Sequence, residues 1–251
     1  MARKPNKTRI TSSRTSKRAK FIDITKEIIP SIPEIQFKNR LGAKSENQKE
    51  FIRTVVENDI VFCEGVAGSG KTHIAIGMAL EWLLMDKVSK IVITRPVVEA
   101  GERLGFLPGT AEEKLHPYLM PILDEINYFI DMASYAQLKN DNQIEVVPLA
   151  LMRGRSFHNA FIVADECQNA SYEQLKMLLT RIGMNSKMVL TGDTAQSDLQ
   201  HHYRGGFRDL NNKLSGIEGI GFSKLNEIDI VRNPIIAAIV KRLSSYENSK
   251  P

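Results

Sequence analysis

The chain has 251 residues, 42% of them hydrophobic, and a formal net charge of +5; that length buries a full core and fits one large domain with a tail. No apolar run approaches the roughly 18 residues a membrane span needs, and no secretory apolar region follows the basic N-terminus, so a soluble cytoplasmic protein without a membrane partner is expected. Cys63 and Cys167 stand apart, without CxxC or Cys/His spacing, and read as buried reduced thiols rather than a zinc site or a disulfide framework.

The charge is unevenly placed. The first twenty residues carry eight basic groups (Arg3, Lys4, Lys7, Arg9, Arg14, Lys17, Arg18, Lys20) and no acid, which leaves 26 basic against 29 acidic residues in the body. A segment so basic and so poor in apolar residues is expected to be disordered. Polyanion binding and a merely solubilising arm both remain open for it. The expected division is a tail and linker over 1–43, a folded domain over 44–246 and a short C-terminal tail over 247–251.

In chain order, Ser45-Glu46-Asn47-Gln48 reads as a capping box opening a helix that carries Phe51, Ile52, Val55 and Val56. Ile60 to Glu64 is a short apolar run expected as a buried parallel strand, followed by a glycine-rich loop and a helix from Lys71 to Met85. Further strands are expected at Lys90–Thr94, Ile144–Pro148, Phe161–Ala164 and Lys187–Thr191. Helices are expected over Glu112–Asp131, interrupted at Pro117 and Pro121, and over Ser171–Ile182. This alternation predicts an α/β fold, a doubly wound parallel sheet flanked by helices, with ligands at the carboxyl ends of the strands.

Those ends carry the chemistry. Gly65-Val66-Ala67-Gly68-Ser69-Gly70-Lys71-Thr72 satisfies GxxxxGK[ST] at each fixed position, between a strand and a helix. Backbone N–H groups of such a loop curl round phosphates, assisted by the positive end of the following helix. Lys71 would reach the β and γ phosphates of ATP and the Thr72 hydroxyl would coordinate magnesium; His73 follows at the same helix start. Phe161 to Ala164 ends in Asp165, placed to hold magnesium, and Glu166, placed to polarise an attacking water. The next strand ends in Gly192-Asp193-Thr194-Ala195-Gln196, so Asp193 and Gln196 could sense the γ phosphate. His201 and His202 have no partners at metal-ligand spacing.

With GVAGSGKT, VADECQN and TGDTAQ in this order, the chain resembles the PhoH family of P-loop ATPases, related to the superfamily 1 helicase core. Ile93-Thr94-Arg95-Pro96, the run from Glu99 to Gly109, Met152-Arg153-Gly154-Arg155 and Val231-Arg232-Asn233-Pro234 support it, so that the resemblance extends from about Lys44 to Leu243. It implies a single RecA-like P-loop NTPase core. Gln48 then resembles the glutamine that reads the adenine edge. Arg232 resembles the arginine that approaches the γ phosphate, from a neighbouring subunit if the chain assembles as a homo-oligomer, a hexameric ring being the implied form. Arg95, Arg103, Arg153 and Arg155 are candidates to meet nucleic-acid phosphates, with nucleotide sensing by Arg95 and an internal ion pair at Arg103 as alternatives. The loop after TGDTAQ, Gln200 to Gly206, departs from the family pattern.

The expectation is therefore an enzyme that hydrolyses ATP with magnesium, coupled as an oligomer to RNA or single-stranded DNA binding or unwinding. The alternative is a nucleotide-switched nucleic-acid-binding ring or scaffold with little turnover. A small-molecule kinase would use the same phosphate loop but has no need of the Asp165-Glu166 pair.

Overall fold

Each central strand buries successive residues on opposite sides, and both sides are covered, so the strands are apolar throughout rather than alternating. Val61, Cys63, Ile91, Ile93, Phe161, Val163 and Val189 belong to one core, while Phe62, Val92, Ile162, Ala164, Met188 and Leu190 belong to the other. The computed structural model describes residues 35–96, 111–196, 199, 206–230 and 242, with the backbone alone at 111–116. The chain divides into residues 1–34, outside the described set, and a compact unit from Ile35 onward.

The strands are β1 (Ile60–Gly65), β2 (Lys90–Arg95), β3 (Ile144–Pro148), β4 (Ala160–Ala164), β5 (Lys187–Gly192) and β6 (Ile220–Leu225). They form a parallel sheet in the order β3-β2-β4-β5-β1-β6. Helices α1 (Glu46–Glu57), α2 (Lys71–Leu84), α3 (Ala111–Phe129) and α4 (Met132–Asn140) contribute to the first core. Helices α5 (Tyr172–Leu179) and α6 (Gly206–Leu214), with a 3-10 turn at Leu149–Met152, contribute to the second. Each large apolar side chain removed from water in this way contributes roughly 1.5–3 kcal/mol.

The register of the central strands gathers their ends. β5 lies between β1 and β4, pairing Glu64 with Gly192 on one side and Ala164 with Leu190 on the other. The residues that come after these three strand ends are therefore brought to one edge of the sheet.

Several local expectations change. The helix at α3 is not interrupted: it runs through Pro117 and Pro121. Both prolines are exposed and four residues apart, so the carbonyls that lose their donors lie on the solvent side, where water can satisfy them. α5 stops at Leu179, three residues short of the expected Ile182. The packed unit also starts before Ser45. Phe37 bridges to Ile130, and the Lys38 N–H donates to the Phe129 carbonyl at 2.7 Å. At α1, Ser45 does accept from the Gln48 N–H at 3.1 Å, but the Gln48 side chain turns back to the Lys44 N–H, so only half of the capping box forms.

Candidate nucleotide-binding site

β1 delivers the chain into the glycine-rich loop and α2 carries it away. Gly70 caps α2 at φ 93°, a left-handed conformation that a side chain would strain. A Cβ there would also lie 2.9 Å from the Gln48 amide nitrogen. No side chain caps the N-terminus of α2, so its first N–H groups and the positive end of the helix are available to an anion. Lys71 folds back over its own loop, with Nζ donating to the carbonyls of Gly65 at 2.6 Å and Val66 at 2.9 Å. Ser69 is fully buried and its hydroxyl donates to the Val66 carbonyl at 2.8 Å, fixing the curl of the loop.

Across from this loop, β4 ends in the two carboxylates. Asp165 is buried, and its Oδ1 accepts from the Thr72 hydroxyl at 2.7 Å and from the Thr191 hydroxyl at 2.6 Å. Thr72 opens α2 and Thr191 belongs to β5, so one carboxylate oxygen ties the phosphate loop to the sheet.

Glu166 sits at φ 55°. The other positive-φ non-glycine residues among those described are Asp86, Asn142, Asn159 and Asn185, types that tolerate this region. A glutamate held there costs about 1 kcal/mol or more, and its surroundings supply the restraint. Its carboxylate accepts from Gln168 Nε2 and lies 3.4 Å from Arg95 Nη2. Gln168 is itself buried, and its Oε1 accepts from the Asp193 N–H at 3.0 Å.

Between the loop and Glu166 opens a cavity of about 550 Å³. Ala67, Gly68, Gly70, Lys71, Thr72, His73 and Glu166 line it together with Gly42, Lys44, Gln48 and, from α3, Asp124, Glu125 and Tyr128. The volume falls within the roughly 300–1,000 Å³ of small-molecule sites. Gly77 sets the spacing of the α3 wall, because a Cβ there would lie 2.7 Å from the Phe129 ring. α3 is thereby brought close to α2, and His73 Nδ1 meets Glu125 Oε2 at 2.9 Å.

The expected site residues are not all gathered. Lys71, Thr72, His73 and Glu166 line one cavity, and Asp165 meets it through Thr72. Gln48 is 3% exposed and internally engaged: Oε1 accepts from the Lys44 N–H at 2.7 Å, and Nε2 donates to the Ser69 carbonyl at 2.9 Å. In this arrangement it braces the loop. Asp229 joins the same knot, accepting from Asn47 Nδ2 at 3.0 Å and the Asn226 N–H at 2.6 Å. Burial pushes its carboxyl up, but hydrogen bonds from Ser45, Asn226 and Asn47 outweigh that and hold it below the usual range.

Asp193 is buried, its Oδ1 accepting from the Ala195 N–H at 3.0 Å, and it lines the adjoining groove with Gly65 and Val66 rather than the Lys71 cavity. Gln196 is exposed. Arg153 is exposed too, while Arg155 grips Glu145 with two bonds of 2.5 and 2.7 Å and lies 4.7 Å above the Phe157 ring. Arg155 and Lys90 together hold the Glu145 carboxyl at about 2, the Arg155 hydrogen bonds being the larger cause. Arg103 and Arg232 lie outside the described residues, as do His201 and His202. Both cysteines are fully buried, and desolvation pushes their thiols up. No cluster of three metal-ligating side chains occurs among the described residues. Nor is any described helix long and apolar enough to cross a membrane.

Three contributors were not read from the sequence. Gln168 stands two residues after Glu166, and a search for polar residues at strand ends would have reached it, as it would Thr191. The α3 wall of Asp124, Glu125 and Tyr128 carries no such signal, because only the packing of α3 on α2 brings it to the loop.

Residues 40–244 match the family described as PhoH-like protein. The PhoH-like protein of Synechocystis sp. is 43% identical over 209 residues, covering 83% of this chain and 64% of that protein. The PhoH-like protein of Mycobacterium tuberculosis is 46% identical over 204 residues, covering 81% and 58%. The chain thus spans under two thirds of the length of these relatives. Among solved structures it is similar to the large terminase of a thermophilic bacteriophage, with 12% identity, a TM-score of 0.48, and coverage of 79% of this chain and 50% of that one. With its phosphate loop, its parallel sheet and the family match over most of its length, the chain belongs to the PhoH-like protein family and has a P-loop NTPase fold.

Proposed function

We propose that the chain hydrolyses ATP with magnesium and couples the cycle to binding single-stranded nucleic acid. The contact between Thr72 and Asp165 at 2.7 Å carries this conclusion, because it joins a phosphate loop to a strand-end carboxylate at one cavity. The Thr72 hydroxyl and Asp165, both hard oxygen donors, suit magnesium, which when bound neutralises charge on the phosphates. Loop N–H groups and the start of α2 cradle the triphosphate, and Lys71 leaves the Gly65 and Val66 carbonyls to contact it. Glu166 orients a water for attack on the γ phosphorus and accepts its proton; the bond from the γ phosphorus to the β-γ bridging oxygen breaks, releasing ADP and phosphate. A kinase would not require a carboxylate held in this way beside the loop.

Nucleic-acid binding is supported by the eight basic residues of the tail and by the exposed Arg153. A homo-oligomer would allow Arg232 to reach a neighbouring site. The test is steady-state ATP hydrolysis with and without single-stranded RNA or DNA, beside Glu166→Gln. Hydrolysis lost in the variant and raised by one nucleic acid upholds the proposal. ATP binding without stimulated turnover would instead favour a nucleotide-switched scaffold.

A further inference from the structure

The cavity lining carries two chemically different sets of groups. Lys71 and the uncapped start of α2 are both suited to an anion. From α3 come two carboxylates, Asp124 and Glu125, and the ring of Tyr128. A nucleotide with its triphosphate at Lys71 and the start of α2 has the α3 wall left to receive its base.

Tyr128 is 44% exposed, much for a tyrosine packed edge-on against His73, with ring centroids 4.9 Å apart. Its position is fixed from behind: Phe129 is fully buried against α2, and the Tyr128 carbonyl accepts from Asn39 Nδ2 at 2.7 Å. The ring is thus anchored through its backbone and open on the cavity side. Glu125 is engaged by His73, whereas Asp124 is exposed and has no hydrogen bond or ion pair among the described residues. Gln48, which lines the same cavity, bonds to the Lys44 N–H and the Ser69 carbonyl.

We infer that Tyr128 is the stacking platform for the nucleotide base and that Asp124 accepts a hydrogen bond from an exocyclic amino group of that base. The inference rests on the nucleotide-binding reading above and adds a selectivity to it: bases that carry an exocyclic amine are preferred to bases that lack one.

The test uses the full chain with magnesium and a fluorescent N-methylanthraniloyl ATP, displaced by unlabelled competitors. Inorganic tripolyphosphate probes the phosphate end alone, and purine riboside triphosphate is ATP without its amine. Tyr128→Ala should weaken ATP about 10-fold or more, the usual scale for losing a stacked base, while tripolyphosphate competes as before and Tyr128→Phe retains ATP. Asp124→Ala, which removes the acceptor, should bring ATP and purine riboside triphosphate to equal affinity. Unchanged ATP affinity in Tyr128→Ala, or equal loss of ATP and tripolyphosphate, overturns the inference. Lys71→Ala separates the two proposals: tripolyphosphate binding that survives it removes the nucleotide reading itself.

Discussion

Glu166 and Asp193 are joined through one buried carboxamide: Gln168 donates to the Glu166 carboxylate and accepts from the Asp193 N–H at 3.0 Å. The end of β4 and the end of β5 are therefore tied to each other. Because Gln168 does not line the cavity, its removal should leave ATP affinity within about twofold while lowering kcat about 10-fold, as expected for an interaction that acts through Glu166. Gln168→Glu should be worse than Gln168→Ala, since it places a second carboxylate against the first. Matched losses in kcat and affinity would argue for general distortion instead.

Arg95 bears on the same carboxylate from β2, at 3.4 Å, with its side chain 21% exposed. If its partner is Glu166 and not a nucleic-acid phosphate, Arg95→Ala should reduce unstimulated hydrolysis and leave the salt dependence of single-stranded RNA binding unchanged. Loss of a phosphate contact would instead lower that logarithmic slope by about 0.7. Equilibrium binding at several salt concentrations distinguishes the two.

Among the described residues Lys71 has no carboxylate partner, and it rests on two carbonyls of its own loop. With ATP and magnesium at roughly 100 times Kd, the wild-type Tm should rise by about 5–10 °C. Lys71→Ala should abolish that rise while changing the ligand-free Tm little, which differential scanning calorimetry measures directly.

Glu145 predicts a pH dependence remote from the site. Its folded-state carboxyl titrates at about 2, below its ordinary 4.5, so its bonds to Arg155 and Lys90 stabilise the fold above pH 4.5 and are lost as pH falls towards 2. At pH 7, Glu145→Gln should lower Tm by about 2–4 °C, the scale of a charge-assisted, part-buried pair in a domain of this size. The difference from wild type should shrink between pH 4.5 and 2.

The phosphate loop was legible because its chemistry needs adjacent residues: glycines that can turn, then a lysine and a hydroxyl at the start of a helix. Asp165 and Glu166 were legible because an apolar strand that ends in acids is a local pattern. β6 was not, since an edge strand is partly exposed and IGFSKL carries little apolar signal. α4 and α6 are short and were missed for a similar reason.

For Gln48 the family resemblance implied a base reader; the structure adds its bonds to the Lys44 N–H and the Ser69 carbonyl, which depend on which backbone groups surround its amide. Sequence alone determined the loop, the carboxylate pair and the alternation of strands and helices, because each is encoded within a few consecutive residues. Only the tertiary structure decided that Gln168 links two strand ends and that Tyr128 faces the cavity, because those contacts depend on β5 inserting between β1 and β4 and on Phe129 packing at Gly77.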